Sequence, residues 1–265
     1  MQRYYDQFNQ QLIYIGRAAT EHFWDAQWQS TDFRKAITKT PNSWIARTTK
    51  KYLPLGSHIL EGGCGQGNHV YALQQQGFKA VGLDYAPLTV EKLWQYAPEL
   101  TIKLGDVREL PFPDNSFDGY WSLGVIEHFW DGYDTIANEI RRVIKPGGYL
   151  FLTFPCMSFL RIKKAQRGLY PYWENGLLEP DGFYQFALNP ASVNRAFSNL
   201  DFHLIQEKGF ASIKGIKDEV TYLEKQLQIF YDSRAFTARV IKRVIDPLLL
   251  PYLFGHSRFM ILKKK

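Results

Sequence analysis

Ile59-Leu60-Glu61-Gly62-Gly63-Cys64-Gly65-Gln66-Gly67 is the stretch on which the fold turns. An apolar run ends in an acidic residue and passes into a loop rich in glycine. His69-Val70-Tyr71-Ala72-Leu73 then reads as the start of a helix. Glycine permits positive φ and removes the Cβ that would block a ligand. The helix behind it offers unpaired N–H groups and the positive end of a dipole. Strand, glycine loop and helix in that order predict a nucleotide-type site. The spacing excludes two kinds of nucleotide site. The dinucleotide fingerprint G-x-G-x-x-G needs glycine at its sixth position, and counting from Gly63 puts Asn68 there. A phosphate-cradling loop ends in Gly-Lys-Ser/Thr, and no such ending follows.

The next four signals come in a fixed order. Val81-Gly82-Leu83-Asp84-Tyr85 reads as a second buried strand ending in a carboxylate, placed to accept from ribose hydroxyls. Ile102-Lys103-Leu104-Gly105-Asp106-Val107 sets another Asp just past a short third strand. Ser116–Gly124 gives a fourth strand, followed by Val125-Ile126-Glu127-His128. A helix ending at Arg141-Arg142-Val143, then Pro146-Gly147-Gly148, turns into a fifth strand, Tyr149–Phe154. This series, over roughly residues 45–155, resembles the small-molecule branch of the class I S-adenosylmethionine-dependent methyltransferases.

The resemblance implies a doubly wound α/β fold, a Rossmann-like sheet of seven strands, and S-adenosylmethionine as cofactor. It implies cofactor binding by Glu61, Gly62, Gly63, Cys64, Gly65, Gly67, Asp84, Tyr85, Asp106, Val107 and Leu123. Asp84 would take the ribose hydroxyls and Asp106 the adenine amino group. The Val107 N–H would meet a ring nitrogen, and the Leu123 carbonyl would face the methionine amino group. Glu61 stands where many relatives carry Asp; either carboxylate can orient the loop.

Composition agrees with a folded enzyme. In 265 residues, 45% are hydrophobic and 22% charged, enough for one large domain with a cap. Only Cys64 and Cys156 occur, which points to a reducing compartment rather than a disulfide framework. Met1-Gln2-Arg3-Tyr4-Tyr5-Asp6 lacks a signal core, so a cytoplasmic location is expected. No His/Cys/Asp/Glu cluster has metal-site spacing. The formal charge of +6 supplies only non-specific phosphate affinity. The fourth strand ends in Ser122-Leu123-Gly124-Val125, without the Asn/Asp-Pro-Pro-aromatic motif of base- and protein-amine methyltransferases. Nucleic acid is therefore not the expected acceptor.

Three segments lie outside the shared core. Residues 1–50, with Phe23, Trp24, Trp28, Phe33 and Trp44, read as an N-terminal cap of two or three short helices preceding the methyltransferase domain at 51–265. The cap either packs its aromatics on the sheet or closes as a lid, and the two are compatible. Residues 156–188 are an acceptor-side insertion after the fifth strand, with Arg161, Lys163, Lys164 and then Tyr170, Tyr172, Trp173, Phe183, Tyr184 and Phe186. They either recognise the acceptor or anchor a long loop. Asn189-Pro190 should start a helix, and Phe202–Phe210 the sixth strand. Residues 217–254 form a helical insertion after that strand, its pattern broken at Asp246-Pro247. The apolar run at 246–254, beside Lys242, Arg243 and Lys263-Lys264-Lys265, offers a membrane contact, a homodimer face or core.

The expected function is methyl transfer to a small-molecule or lipid-like acceptor, at oxygen rather than nitrogen or carbon. His128 is the nearby candidate for a catalytic base, against a structural role for the same residue. The rival reading is a non-catalytic S-adenosylmethionine-binding partner or sensor protein.

Overall fold

The computed structural model describes residues 1–29, 43–174, 176, 178–220, 222, 224–233 and 235–265. Phe33 and Pro41 lie outside the described residues. The central sheet has seven strands: β3 (His58–Gly62), β4 (Lys79–Asp84), β5 (Ile102–Leu104), β6 (Phe117–Leu123), β7 (Ile144–Pro155), β9 (Phe202–Phe210) and β10 (Ser257–Lys264). Their order is β5-β4-β3-β6-β7-β10-β9. The first five are parallel, and β10 runs antiparallel to both β7 and β9. The five strands expected around the glycine loop, and the sixth at Phe202–Phe210, are all present.

Period-two alternation splits the strands' side chains between two cores. Leu60, Tyr120, Leu150 and Leu152 point to one, and Ile59, Trp121, Phe151 and Ile261 to the other. Trp121 is fully buried and stacks on Phe151 with centroids 4.4 Å apart. Its indole N–H donates to Thr49 Oγ1 at 3.0 Å, so the buried polar atom is satisfied. Helices fill the crossovers: α2 (Trp44–Tyr52) precedes β3, α3 (Asn68–Gln75) follows it, α4 (Pro87–Tyr96) follows β4, and α5 (Asp134–Val143) precedes β7. Strand order runs outward from β3 to β5 on one side and through β6 and β7 on the other. The direction reverses between β3 and β6, and ligands of open α/β sheets bind outside the carboxyl ends at such a point.

The N-terminal cap departs from expectation. Residues 2–15 form a hairpin of β1 (Gln2–Asp6) and β2 (Gln11–Ile15), and helix α1 (Glu21–Gln29) follows. β2 pairs with β8 (Phe183–Ala187), which lies inside the 156–188 segment, so cap and insertion share a three-stranded sheet. The physical reason is non-local. Leu12 and Tyr14 are buried among Met157, Ala165, Tyr170 and Ala187, and Ile13 joins the main core with Phe183 and Phe186.

Helix α6 (Phe159–Gln166) carries the basic residues read from the sequence as acceptor-facing, and it turns Arg161 inward. Arg161 is fully buried; it bonds Glu219 Oε1 at 2.9 Å and donates to the Cys156 carbonyl at 2.7 Å. Glu219 also accepts from Arg3, Lys164 and Tyr170. A buried guanidinium is tolerable only with such full pairing. The network ties β1, α6 and α8 (Ser212–Glu219) together, so this part of the insertion clamps the cap.

Helix α7 (Pro190–Asn199) begins as expected, with the Asn189 side chain accepting from the Ala191 N–H at 2.9 Å. The 217–254 segment contains α9 (Glu224–Asp232), α10 (Phe236–Leu248) and α11 (Pro251–Phe254). The break expected at Asp246-Pro247 is displaced: α10 runs on to Leu248 with Pro247 inside its last turn. Pro247 supplies no N–H to the last turn, and the ladder resumes directly after it, the Leu249 N–H reaching the Ile245 carbonyl at 3.1 Å.

Candidate functional site

The glycine loop is pinned from below by β4. The amides of Gly63 and Cys64 both donate to the Leu83 carbonyl, at 2.8 and 3.0 Å. The Gly65 amide donates to Asp84 Oδ2 at 2.7 Å, and the Ala86 amide to Asp84 Oδ1 at 3.0 Å. Asp84 therefore holds the loop while it borders the cavity, and each carboxylate oxygen keeps a second lone pair for a ligand. Gly63 has φ +74°, and a Cβ there would meet Val125 Cγ2 at 2.6 Å. Loop and β6 end thus approach too closely for any side chain.

Above the loop lies a cavity of ≈ 360 Å³. Gly63, Gly65, Asp84, Tyr85, Asp106, Val107 and Leu123 border it from the strand ends, together with His128. Glu61, Gly62, Cys64 and Gly67 do not; they form the layer behind the loop. Glu61 is buried with Oε2 unpartnered, and burial beside Asp84 pushes its carboxyl well above the usual range. The Cys64 thiol is buried and pushed up by burial, which leaves it protonated and unsuited to nucleophilic chemistry. Gly67, at φ +69°, makes the turn into α3. Asp106 is gripped by Arg108, whose Nη2 lies 2.7 Å from Oδ2. Although partial burial opposes it, that bond and the Arg108 N–H lower the Asp106 carboxyl.

The opposite wall is aromatic and comes from segments distant in sequence. Helix α1 contributes Trp24 and Trp28, which stack with centroids 6.3 Å apart, and β8 contributes Tyr184 and Gln185. The Asp25 carboxylate anchors α1 by accepting from the Thr89 N–H and Oγ1, each at 2.8 Å, in the first turn of α4. It satisfies amides that no intrahelical carbonyl reaches and complements the positive helix end. Tyr85 donates to the Ala19 carbonyl at 3.0 Å, a second tether. Sequence reading missed Asp25 and Gln185 as neighbours of the site. Only Trp24, Trp28 and Tyr184 carried any signal, as aromatics in the cap and insertion.

His128 sits where the two walls meet. Its Nδ1 lies 2.6 Å from the Tyr184 carbonyl oxygen, which can only accept, so Nδ1 carries the proton. Nε2 is left with its lone pair, 3.9 Å from Glu127 Oε1. Burial lowers the imidazole to about 4, so it is neutral at physiological pH. Glu127 borders the same cavity, almost fully buried, with Oε2 unpartnered. Burial pushes its carboxyl up to about 8.

The lining suits a cationic nucleoside and disfavours a phosphate. Among the described residues bordering the cavity there is no Lys or Arg, while Asp84, Asp106 and Glu127 offer carboxyl acceptors. The unpartnered Glu127 Oε2 is the kind of buried acceptor that an amino group would satisfy. The glycine cradle and Asp84 fit the nucleoside half of S-adenosylmethionine, and the carboxyl-rich floor fits its cationic half. Among the described residues, no group of three or more His, Cys, Asp or Glu is arranged to hold a metal ion.

Comparison with known proteins is in line with this chemistry. Residues 60–152 match the family model described as a methyltransferase domain. The chain is 30% identical over 175 residues to a demethylmenaquinone methyltransferase of Symbiobacterium thermophilum, covering 58% of this chain and 68% of that one. It is 37% identical over 102 residues to the 2-methyl-6-phytyl-1,4-hydroquinone methyltransferase of Synechocystis, covering 37% and 32%. Several curated relatives, this one included, are matched over less than half of their own length. Among solved structures, the 1,6-didemethyltoxoflavin-N1-methyltransferase of Burkholderia thailandensis, which holds S-adenosylhomocysteine, aligns over 100% of both chains. The TM-score is 0.52 at 14% identity, a likeness of fold.

Proposed function

The chain belongs to the S-adenosylmethionine-dependent methyltransferases, and from that footing we propose that it methylates a hydroxyl group on a small, largely apolar or lipid-like acceptor. The observation that carries the reading is the orientation of His128. Its proton is committed to the Tyr184 carbonyl, which leaves the lone pair on Nε2, and the residue borders the cavity between the glycine loop and the aromatic wall. When bound, S-adenosylmethionine supplies an electrophilic methyl group on a sulfonium sulfur. The glycine loop and Asp84 hold the nucleoside half. Trp24, Trp28 and Tyr184 exclude water and give an apolar acceptor a face to lie on. His128 Nε2 accepts the hydroxyl proton as the oxygen is alkylated. Low basicity is the cost of keeping that lone pair available at every physiological pH.

Two relatives are named for methylating demethylmenaquinone and a phytyl hydroquinone, which supports a quinol-type acceptor here, while the choice of oxygen rests on His128 alone. The test is a methyl-transfer assay with a short-chain hydroquinone, following S-adenosylhomocysteine release and methylated product together. The proposal predicts an aryl methyl ether, and His128→Asn lowers turnover about a hundredfold with cofactor affinity kept. Product methylated on ring carbon would move the reaction off oxygen. Tight cofactor binding with no product from a panel of hydroxylated acceptors would favour the binding-only rival.

A further inference from the structure

Helix α10 is amphipathic in the wrong sense for a helix packed on a soluble domain. Toward the domain it turns Ala238, Lys242 and Asp246. Lys242 Nζ donates to the Ser233 carbonyl at 2.9 Å, and Asp246 Oδ1 accepts from the Ile213 N–H at 2.9 Å. Away from it point Val240, Ile241, Val244, Ile245 and Leu248, between 39% and 72% exposed. Their spacing of i, i+1, i+4, i+5 and i+8 makes one continuous stripe. Ile229 of α9, with Leu250 and Tyr252 beyond the helix, extends the exposed apolar surface. An ordinary globular helix buries its apolar stripe and leaves its charges outside. A contiguous patch of this kind marks a contact surface.

The topology roots the segment that carries this stripe at the carboxyl edge of the sheet. β9 ends at Phe210, opposite Ser257 of β10, which in turn faces Pro155 at the end of β7. β6 ends beside β7, with Leu123 against Thr153. Residues 211–256 therefore leave and rejoin the sheet at its carboxyl edge, the edge on which the cavity lies.

Charge selects the occupant. The sequence of α10 carries Arg239 and Arg243, besides the inward-turned Lys242, against one acid, Asp246. That acid is turned inward onto Ile213, so the exposed stripe carries no carboxylate of its own helix. Pairing with a second copy would set two cationic helices of a +6 protein side by side, which like-charge repulsion disfavours. An anionic bilayer surface satisfies both features, receiving the apolar stripe and attracting the cations. The helix has 13 residues, about 20 Å at 1.5 Å per residue. Among the described residues no helix is long and apolar enough to cross a membrane, so the contact lies in the interface plane.

We propose that the outer face of α10 docks the protein on an anionic phospholipid surface, with the cavity edge toward the bilayer. The inference stands apart from the methyl-transfer reading, since it uses no residue of the cavity. The test is co-sedimentation of the full chain with phosphatidylcholine vesicles, alone and with about one third phosphatidylserine. Binding is expected only to the anionic vesicles, weakening as salt rises. The triple variant Val240→Ser, Val244→Ser and Leu248→Ser should lower the partition coefficient about tenfold or more. All three side chains are exposed, so its thermal midpoint and S-adenosylhomocysteine affinity should stay at wild-type values. Arg243→Gln gives an independent check, predicting weaker binding and a shallower salt dependence. No partition into anionic vesicles at physiological salt would overturn the proposal. So would undiminished binding of the triple variant, or a dimer that the triple substitution dissociates and vesicles leave intact.

Discussion

Gly63→Ala tests whether the glycine loop is held as closely against the end of β6 as the geometry requires. Two costs can be separated. At φ +74° an alanine sits in the left-handed region, about 1–2 kcal/mol above its preferred conformations. Its Cβ would also lie 2.6 Å from Val125 Cγ2, well inside van der Waals contact, and overpacking of that kind costs about 1–3 kcal/mol. The single variant should therefore lose about 2–5 kcal/mol of stability. Val125→Ala removes the opposing methyl groups. In the double variant the overpacking share should be recovered while the backbone share persists, a coupling of about 1–3 kcal/mol. Urea unfolding of the four proteins measures it, with S-adenosylhomocysteine titration of each in parallel. Costs that add to within about 0.5 kcal/mol would show that loop and strand end do not touch, and would refute the description of the cradle.

Two other outcomes follow from the same site. Asp84→Ala should weaken S-adenosylhomocysteine binding more than tenfold, since it removes about 1.5–3 kcal/mol of charge-assisted hydrogen bonding and frees the Gly65 amide; calorimetry on the folded variant checks this. Stability should also carry the mark of the buried titrating groups. His128 and His69 are lowered by burial to about 4, so between pH 6.5 and 4 the unfolded chain binds more protons, and stability falls as pH falls. Glu127, raised to about 8, acts oppositely: its contribution is full below pH 4.5 and is lost as pH rises toward 8. Glu127→Gln should therefore remove a downward slope of at most about 1.4 kcal/mol per pH unit between pH 4.5 and 8, and an unchanged slope in urea unfolding would contradict the burial argument.

What could be read in advance was whatever local chemistry determines. The acidic residues at or just past the strand ends, Glu61, Asp84 and Asp106, and the Asn189-Pro190 helix start are set by short-range rules of periodicity and capping. By contrast, β7 begins at Ile144, before the Gly147-Gly148 turn that was expected to lead into it. The hairpin at residues 2–15 was misread as helix. Its turn held a local clue: Asp6 Oδ1 accepts from the amides of Phe8 and Asn9, and Gln10 takes positive φ. β1 and β2 pair locally, but the second ladder of β2 is with β8, more than 160 residues away in sequence, which no local window contains. Asp25 was invisible for the same reason, because its role exists only once α4 presents its first turn. Arg161 shows the opposite failure. Placed by sequence in an insertion that either recognises the acceptor or anchors a loop, it is buried in a network that reaches Glu219, His256 and, through Glu219, Arg3. Cofactor chemistry was therefore legible in the motif half of the site, while the acceptor half is assembled by tertiary contacts.

Isothermal titration with S-adenosylhomocysteine, run beside NAD, tests the central claim most directly. The carboxyl-lined, cation-free cavity predicts micromolar binding of S-adenosylhomocysteine and none of NAD. Binding of NAD, or of neither ligand by a folded protein, would contradict the assignment of this site.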